Sequence, residues 1–551
     1  MIGNIEVTVM GEKKTVSTGI TYQDLANDYQ HLFKYPILLA KIGNNYKELN
    51  NYVVDHEDIE FVDLKDSTGN KVYVNALILL ISHAVSTLFG YSSKIYVKFS
   101  IDKGIYMTTN FDLTAKKFGQ LRSKIDELVE KNMNITKCNV LKSEAVDFFK
   151  AQRENSKVNL LHYNTNSNVT LYKLGGTYDY FFSLMPVRTG VLKDYDFKWL
   201  SNRGFVLLFP TIYTDGIKPY EHHPQLFEVF SEYNKWAEMM KIDNVPDLNK
   251  VVSSGRADDI IRIDETLQSN RLLNIARDIV SKKKDVKIIL IAGPSSSGKT
   301  TTCQKLSMYL RSFGLEPREI SMDNYFIDRA KTPRDEDGNY DFECLEAINV
   351  KAFDKDVKNL LDGKGVKLPT FNFITGQSEP GTTETVLGKN EVLIIEGIHA
   401  LNDGILKAIE RKNKYKIYIS PLTILTIDIH NRISTTDNRL LRRIVRDNRT
   451  RGYDVEETLK NWKKVRRGEE QHIFPNQDSA DVIFNTALIY EMGVLKTYVE
   501  PLLYSVPADS LYHKDAIRLI NMLKTFLPIP SDAIPEDSIL REFIGGSCFN
   551  K

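Results

Sequence analysis

Gly293-Pro294-Ser295-Ser296-Ser297-Gly298-Lys299-Thr300 matches the pattern GxxxxGK[ST], whose chemistry is the grip of a polyphosphate. The glycines let backbone N–H groups curl around anionic oxygens, and a helix beginning at the motif adds a favourable dipole. Lys299 reaches the outer phosphates, the Thr300 hydroxyl is a ligand for Mg²⁺, and Thr301 follows in the first turn. Two carboxylates accompany the loop. Asp323 ends a predicted strand, 316–322, within Ser321-Met322-Asp323-Asn324-Tyr325-Phe326, and Glu396 ends another, 391–395, before Gly397-Ile398-His399. In a parallel sheet, strand ends carry chemistry along the edge where such a loop opens. Asp323 is the expected general base, against the plainer reading of a turn cap, and Thr300, Glu396 and Asp323 form the expected metal side.

Arg439, Arg442, Arg443, Arg446, Arg449 and Arg451 cluster before Gly452, and spacings of three and four put Arg439, Arg443 and Arg446 on one helical face. Alone, such a run is a solvated basic face. Beside a phosphate loop, guanidinium groups clamp the transferred phosphoryl and stabilise its transition-state charge.

These residues need a frame. Residues 286–292 read as a buried strand before the loop, and 301–313 as a helix after it. Upstream, 226–270 is rich in helix formers, broken at Asn244-Val245-Pro246-Asp247, and reads as a helical connector to the loop-bearing region over 271–551. Residues 1–65 read as a small mixed domain. It has alternation at Ile5-Glu6-Val7-Thr8-Val9, a return strand near Thr15, a Thr21-capped helix through Leu32, and strands at 37–42 and 58–63. Residues 66–225 form a further module. No charge occurs between Lys71 and Lys94, which is long enough for a membrane span. Asn75, Ser82, His83, Ser86 and Thr87 interrupt it, so a buried helix is expected. His222-His223 is a weak metal candidate, since adjacent side chains diverge.

The chain has 551 residues, 42% hydrophobic and 26% charged, so about three or four domains with ordinary cores are expected. Lys plus Arg is 73 and Asp plus Glu 72; a net charge of +1 argues against a coat for nucleic acid or anionic membrane. The four cysteines include no CxxC pair and fit reduced thiols of a cytoplasmic protein. The N-terminus lacks the basic and apolar run of a secretory signal, and no membrane association is expected.

Three resemblances follow. Thr18-Gly19-Ile20-Thr21-Tyr22-Gln23-Asp24-Leu25-Ala26, with the element order around it, resembles the ubiquitin-like TGS domain of threonyl-tRNA synthetases. Residues 66–225 resemble the second additional domain that follows TGS in that family, an α+β module that edits tRNA through an HxxxH pair and a later Cys and His. Here the helix holds only His83, and 176–183 has neither Cys nor His, so neither catalytic zinc nor deacylation is expected. Thirdly, 285–490 resembles the uridine kinase and phosphoribulokinase family of P-loop kinases. Beyond the loop and Asp323, the matching pieces are Tyr340-Asp341-Phe342-Glu343, Pro369-Thr370-Phe371-Asn372-Phe373 and Glu396-Gly397-Ile398.

That resemblance implies an α/β fold: a C-terminal P-loop kinase with a parallel sheet and flanking helices, behind the two N-terminal modules. It also implies an arginine lid, with Arg443 towards the acceptor sugar and Arg446 and Arg451 towards the donor phosphates, and Glu343 as the carboxylate for ribose hydroxyls. Phe326, Phe371 and Phe373 are candidates to stack a base. The chain departs from the family where a His-Pro after the acidic residue is lost. Gly376 stands in place of a base-contacting histidine, and Tyr453 in place of a lid arginine. The expected function is ATP- and Mg²⁺-dependent phosphorylation of a nucleoside 5′-hydroxyl, by a homo-oligomer with a small-molecule acceptor and an undetermined base. The alternative is an ATP-switched, RNA- or translation-associated regulator using the TGS-like half. RNA binding by that half is not the favoured expectation. A fragment starting near residue 270 is expected to retain phosphotransfer.

Overall fold

The structure, a computed structural model, describes residues 3–336, 338–372 and 375–549. At the N-terminus, Asn4–Val9 and Glu12–Ser17 form a hairpin with register Asn4↔Ser17 to Val9↔Glu12. The five-stranded mixed sheet runs Glu12–Ser17, Asn4–Val9, Asp58–Val62, Leu39–Ile42, Asn45–Glu48, with Asn4–Val9 and Asp58–Val62 parallel. Thr21 caps the helix Tyr22–Tyr29 reciprocally with Asp24, and the helix buries Tyr22, Leu25, Ala26 and Tyr29. Strand Asn45–Glu48 was not expected, because its polar NYKE carries no alternation.

The uncharged stretch is the helix Ser67–Phe89, started by Asp66, whose side chain accepts from Thr68 and Gly69 N–H. By length and composition alone it could cross a membrane. Here Val72 through Ile81 pack in a core with Ile95, Ile105 and Phe205. Antiparallel sheets of four and three strands complete this region. His83 Nδ1 lies 2.9 Å from Thr177 Oγ1. His222 and His223 do diverge: His222 Nδ1 meets the Tyr220 hydroxyl at 3.1 Å, and His223 Nδ1 meets Asp478 at 2.7 Å. Among the described residues, no group of three or more His, Cys, Asp or Glu is placed to hold a metal ion.

The 226–270 segment is helical, with its helices packed into the C-terminal core. Helices Pro224–Met240, Val245–Ser253 and Ala257–Ser281 lie across it. Leu248, Ile260, Ile261 and Leu272 share one core with Ile289, Ile291, Leu306 and Ile417 of the C-terminal region. A boundary at 270 would cut inside the longest of these helices, where Gln268 Nε2 donates to the Ala487 carbonyl at 2.9 Å. Its many charges had hidden a buried stripe. Cutting at residue 270 would strip apolar partners from the sheet.

The C-terminal sheet is wholly parallel, in the order Glu316–Ser321, Glu391–Glu396, Ile288–Ala292, Lys414–Ser420, Val482–Asn485. Ile288–Ala292 is central and buried on both faces, as an apolar parallel strand requires. The halves are joined by more than chain. Phe99 of the second module stacks on Phe230 with centroids 4.0 Å apart, and Val97 N–H donates to the Ile429 carbonyl at 2.8 Å. Lys157, Asp179 and His430 form a fully buried ionic cluster across the junction.

Candidate functional site

Ile288–Ala292 delivers the chain into the loop 293–298, and the helix Lys299–Ser312 leaves it. A Cβ at Gly293 would lie 2.2 Å from the Ile419 carbonyl, so only glycine lets the loop pass the neighbouring strand. Gly298 takes φ +85° and Ser296 φ +60°, the left-handed turns that aim successive N–H groups inward. Lys299 Nζ donates to the carbonyls of Gly293 (3.1 Å) and Pro294 (3.3 Å), which arches it over its own loop. Thr300 is exposed, while Thr301 is buried.

Glu396 ends its strand in register with Ser321, the last residue of the neighbouring strand, and Asp323 sits in the 3-10 turn Met322–Tyr325 that follows Ser321. Ser321 Oγ donates to Glu396 Oε1 at 2.9 Å. Burial, then the Asp323 charge, pushes Glu396 up to about 7, against the pull of Lys299 and that hydrogen bond. Burial also raises Asp323, opposed by Lys299, Arg451 and Arg446. The strand ends thus bring together the lysine, two arginines and both carboxylates.

The helix Thr435–Arg451 carries the arginines. Arg439 Nε donates to the Ser295 carbonyl and Arg443 Nη1 to Ser295 Oγ, each at 2.9 Å. Arg442 faces away, to Glu491 at 2.7 Å and the Thr486 carbonyl at 2.8 Å. Asp447, fully buried, gathers Arg443, Arg446 and Arg451. Glu469, fully buried too, accepts from Ser295 N–H at 3.0 Å and is paired with Arg439 and Arg466. Burial favours its neutral form, but those two guanidinium groups win and hold it below the usual range.

Glu343 lies beside these groups. Burial, then Glu469, pushes it up to about 7, against Arg443 and Lys299, and its Oε2 has no hydrogen-bond partner. A Cβ at Gly468 would fall 2.3 Å from Glu343 Cβ, so the helix closes tightly over this carboxylate. Phe326 and Phe371 meet at 5.6 Å with planes tilted 56°, and both are partly buried. Phe373 lies outside the described residues. Gly376, at φ +69°, has Arg329 against it, 2.9 Å from where a Cβ would stand. Tyr453 is exposed just past the arginine helix.

Four residues escaped the motifs: Asp447 and Glu469 as anchors, Glu542, whose Oε2 reaches Thr301, and His399. His399 is buried beside Glu343 and Cys344; burial, then His472, lowers it to about 4, against backbone hydrogen bonds with Cys344 and Glu343.

A glycine-rich loop between a central parallel strand and a helix, facing strand-end carboxylates, defines a P-loop phosphate-binding fold. Residues 288–489 match the model of the family described as Phosphoribulokinase / Uridine kinase family. A uridine kinase of Borrelia hermsii is 30% identical over 36% of this chain and 85% of its own length. Uridine-cytidine kinase B of Dictyostelium discoideum is 28% identical over 37% of this chain and 76% of its own. The structure of a Bacillus stearothermophilus protein, described as a possible uridine kinase, aligns with 20% identity and TM-score 0.28, covering 39% of this chain and 98% of that one. The chain belongs, through residues 288–489, to the phosphoribulokinase/uridine kinase family.

Proposed function

We propose that this protein is an ATP-dependent kinase that phosphorylates the 5′-hydroxyl of a nucleoside. One observation carries the reading: Asp323 follows the strand Glu316–Ser321, beside Glu396 at the edge where the phosphate loop opens, and lies within electrostatic reach of Lys299, Arg446 and Arg451. Asp323 takes the acceptor's O–H proton as its oxygen bonds the γ-phosphorus, and the β–γ bridging P–O bond breaks to release ADP. The backbone of Gly293 to Thr301 and Lys299 hold the donor, while Arg446 and Arg451 neutralise the phosphoryl in flight. Arg443 and Glu343 take the ribose hydroxyls, and Phe326 and Phe371 offer ring faces to the base. Little covalent chemistry is asked of the protein, and positioning supplies most of the rate.

A divalent cation fits this site. Thr300 offers an exposed hydroxyl, and the Asp323 charge raises the affinity of Glu396 for a positive charge. An all-oxygen set with few protein ligands suits Mg²⁺, which keeps waters and substrate phosphates around it. When bound, Mg²⁺ screens the donor's phosphate charge; Thr300, Glu396 and Asp323 would hold it.

The strand order of residues 4–62 supports the TGS-like reading of the N-terminus, and the helix Ser67–Phe89 with its sheets supports the additional-domain reading. We place the protein in the cytoplasm as a homo-oligomer, with a small-molecule acceptor and no membrane. Acceptor-dependent ADP release across a nucleoside panel tests the proposal; ATP turnover indifferent to every acceptor would favour a switch instead.

A further inference from the structure

The chain's end returns to the phosphate loop. Glu542, in the short helix Arg541–Ile544, accepts through Oε2 from Thr301 N–H at 3.2 Å and Thr301 Oγ1 at 2.7 Å. Thr302 N–H makes the turn's bond to the Gly298 carbonyl, so Thr301 N–H is a first-turn donor with no partner inside its helix. Such donors, at a helix start, are where an anion sits. A carboxylate of this chain already sits there.

The contact is built, not incidental. Lys305 pairs with Asp537 at 2.8 Å, Ser538 is bonded to the buried Glu265, and Ile539 packs over Gly298. Leu540 and Phe543 are fully buried on either side of Glu542. The arginine helix also holds this segment: Arg449 Nε donates to the Phe543 carbonyl and Nη2 to the Glu542 carbonyl, each at 3.1 Å. Glu542 therefore lies between the loop that would take the donor and the helix that would close on it.

We propose that residues 537–545 form an autoinhibitory strap, in which Glu542 competes with a phosphate of the donor nucleotide for Thr301. This rests on the donor reading of the loop. One N–H and one hydroxyl cannot serve a carboxylate and a phosphate together. A phosphate arriving here also meets Glu542 on the same side as Asp323 and Glu396, and like charges at contact raise the cost of entry. Glu542 must swing out for the donor to seat. Because Arg449 shares a helix with Arg443, Arg446 and Arg451, release of the strap and closure of the arginines are one linked movement. The buried neighbours Leu540 and Phe543 keep the segment attached while Glu542 moves.

The test is calorimetric binding of ATP, and separately GTP, with Mg²⁺ and no acceptor, to the full chain and to Glu542→Gln, Arg449→Gln and Lys299→Ala. Glu542→Gln keeps the shape and removes the charge. It should bind nucleotide about 10-fold more tightly than wild type, with Arg449→Gln shifted the same way and Lys299→Ala weakened. Equal or weaker binding by Glu542→Gln, with wild-type binding intact, overturns the strap and leaves the donor reading standing. Absence of nucleotide binding by every folded form, wild type included, sinks the donor reading and the strap with it. Hydrogen exchange supplies a second readout on the wild type: saturating nucleotide should speed exchange at Ile544 and Gly545, whose N–H groups bond back to Leu540 and Arg541. Slower exchange there would mean that the segment closes over the nucleotide, and the proposal would fall.

Discussion

Asp447 Oδ2 accepts a 3.0 Å hydrogen bond from Arg443 Nε, one helical turn earlier on the same helix. Its Oδ1 takes Arg446 Nε at 3.1 Å and Nη2 at 2.9 Å, with Arg451 Nη1 at 3.4 Å. One buried carboxylate thereby fixes three guanidinium groups that would otherwise repel. Asp447→Asn keeps the shape and removes the charge, leaving the buried Arg443 and the partly buried Arg446 uncompensated. Turnover should drop about 100-fold while nucleotide affinity changes far less, and the acceptor KM should rise because Arg443 is among those released. Steady-state kinetics check this; unchanged turnover would mean the arginines organise themselves.

Asp323→Asn removes the proposed base without disturbing the loop. Turnover should decline by about 100-fold or more while ATP binding stays near wild type. Near-wild-type turnover would take Asp323 out of the mechanism and leave the phosphate loop untouched.

Burial raises both Glu396 and Glu343 to about 7, so each gains its charge only as pH passes through that value. Ionised carboxylates are the forms that would serve the proposed metal side and the ribose. The free-enzyme profile, kcat/KM against pH, should therefore climb through about 7 and flatten above it. Glu343→Gln should make that climb shallower. A profile flat from acid to alkali would contradict the placement of these groups.

Acceptor choice should rest on the sugar. Gly376 offers no side-chain hydrogen bond to a base, whereas Glu343 and Arg443 can make charge-assisted bonds to ribose hydroxyls. Uridine, cytidine, adenosine and inosine should react with comparable efficiency, and their 2′-deoxy forms poorly. Glu343→Gln should blunt that difference. A preference of about 100-fold for one base would mean that another group, with Arg329 beside Gly376 the first to examine, reads it.

A fragment of residues 271–551 should aggregate or unfold, because it leaves the core shared with Leu248, Ile260 and Ile261 open to water. Light scattering and circular dichroism of that fragment decide this; a soluble, active 271–551 would refute it.

The donor side was legible because its signals are local. The apolar runs around 288–292 and 391–395 mark strands, and the residues that follow them fall at one sheet edge. The hubs were hidden because their partners are remote: Glu469 lies 174 residues from Ser295, and Glu542 lies 241 from Thr301. The packing of the helix Ala257–Ser281 was hidden for a related reason. Its charges announce solvent, and its buried residues find their partners only after the sheet has formed. The short strand Asn45–Glu48 is held by pairing with Leu39–Ile42, which no local pattern announces.

The account's central claim is transfer of a phosphoryl group from ATP to a nucleoside hydroxyl. The most direct measurement incubates the full chain with ATP, Mg²⁺ and each of several ribonucleosides, and identifies products by phosphorus NMR. The account predicts a nucleoside 5′-monophosphate formed mole for mole with ADP, absent when Asp323→Asn replaces the wild type. Release of inorganic phosphate with no phosphorylated nucleoside, at a rate indifferent to Asp323→Asn, would contradict it.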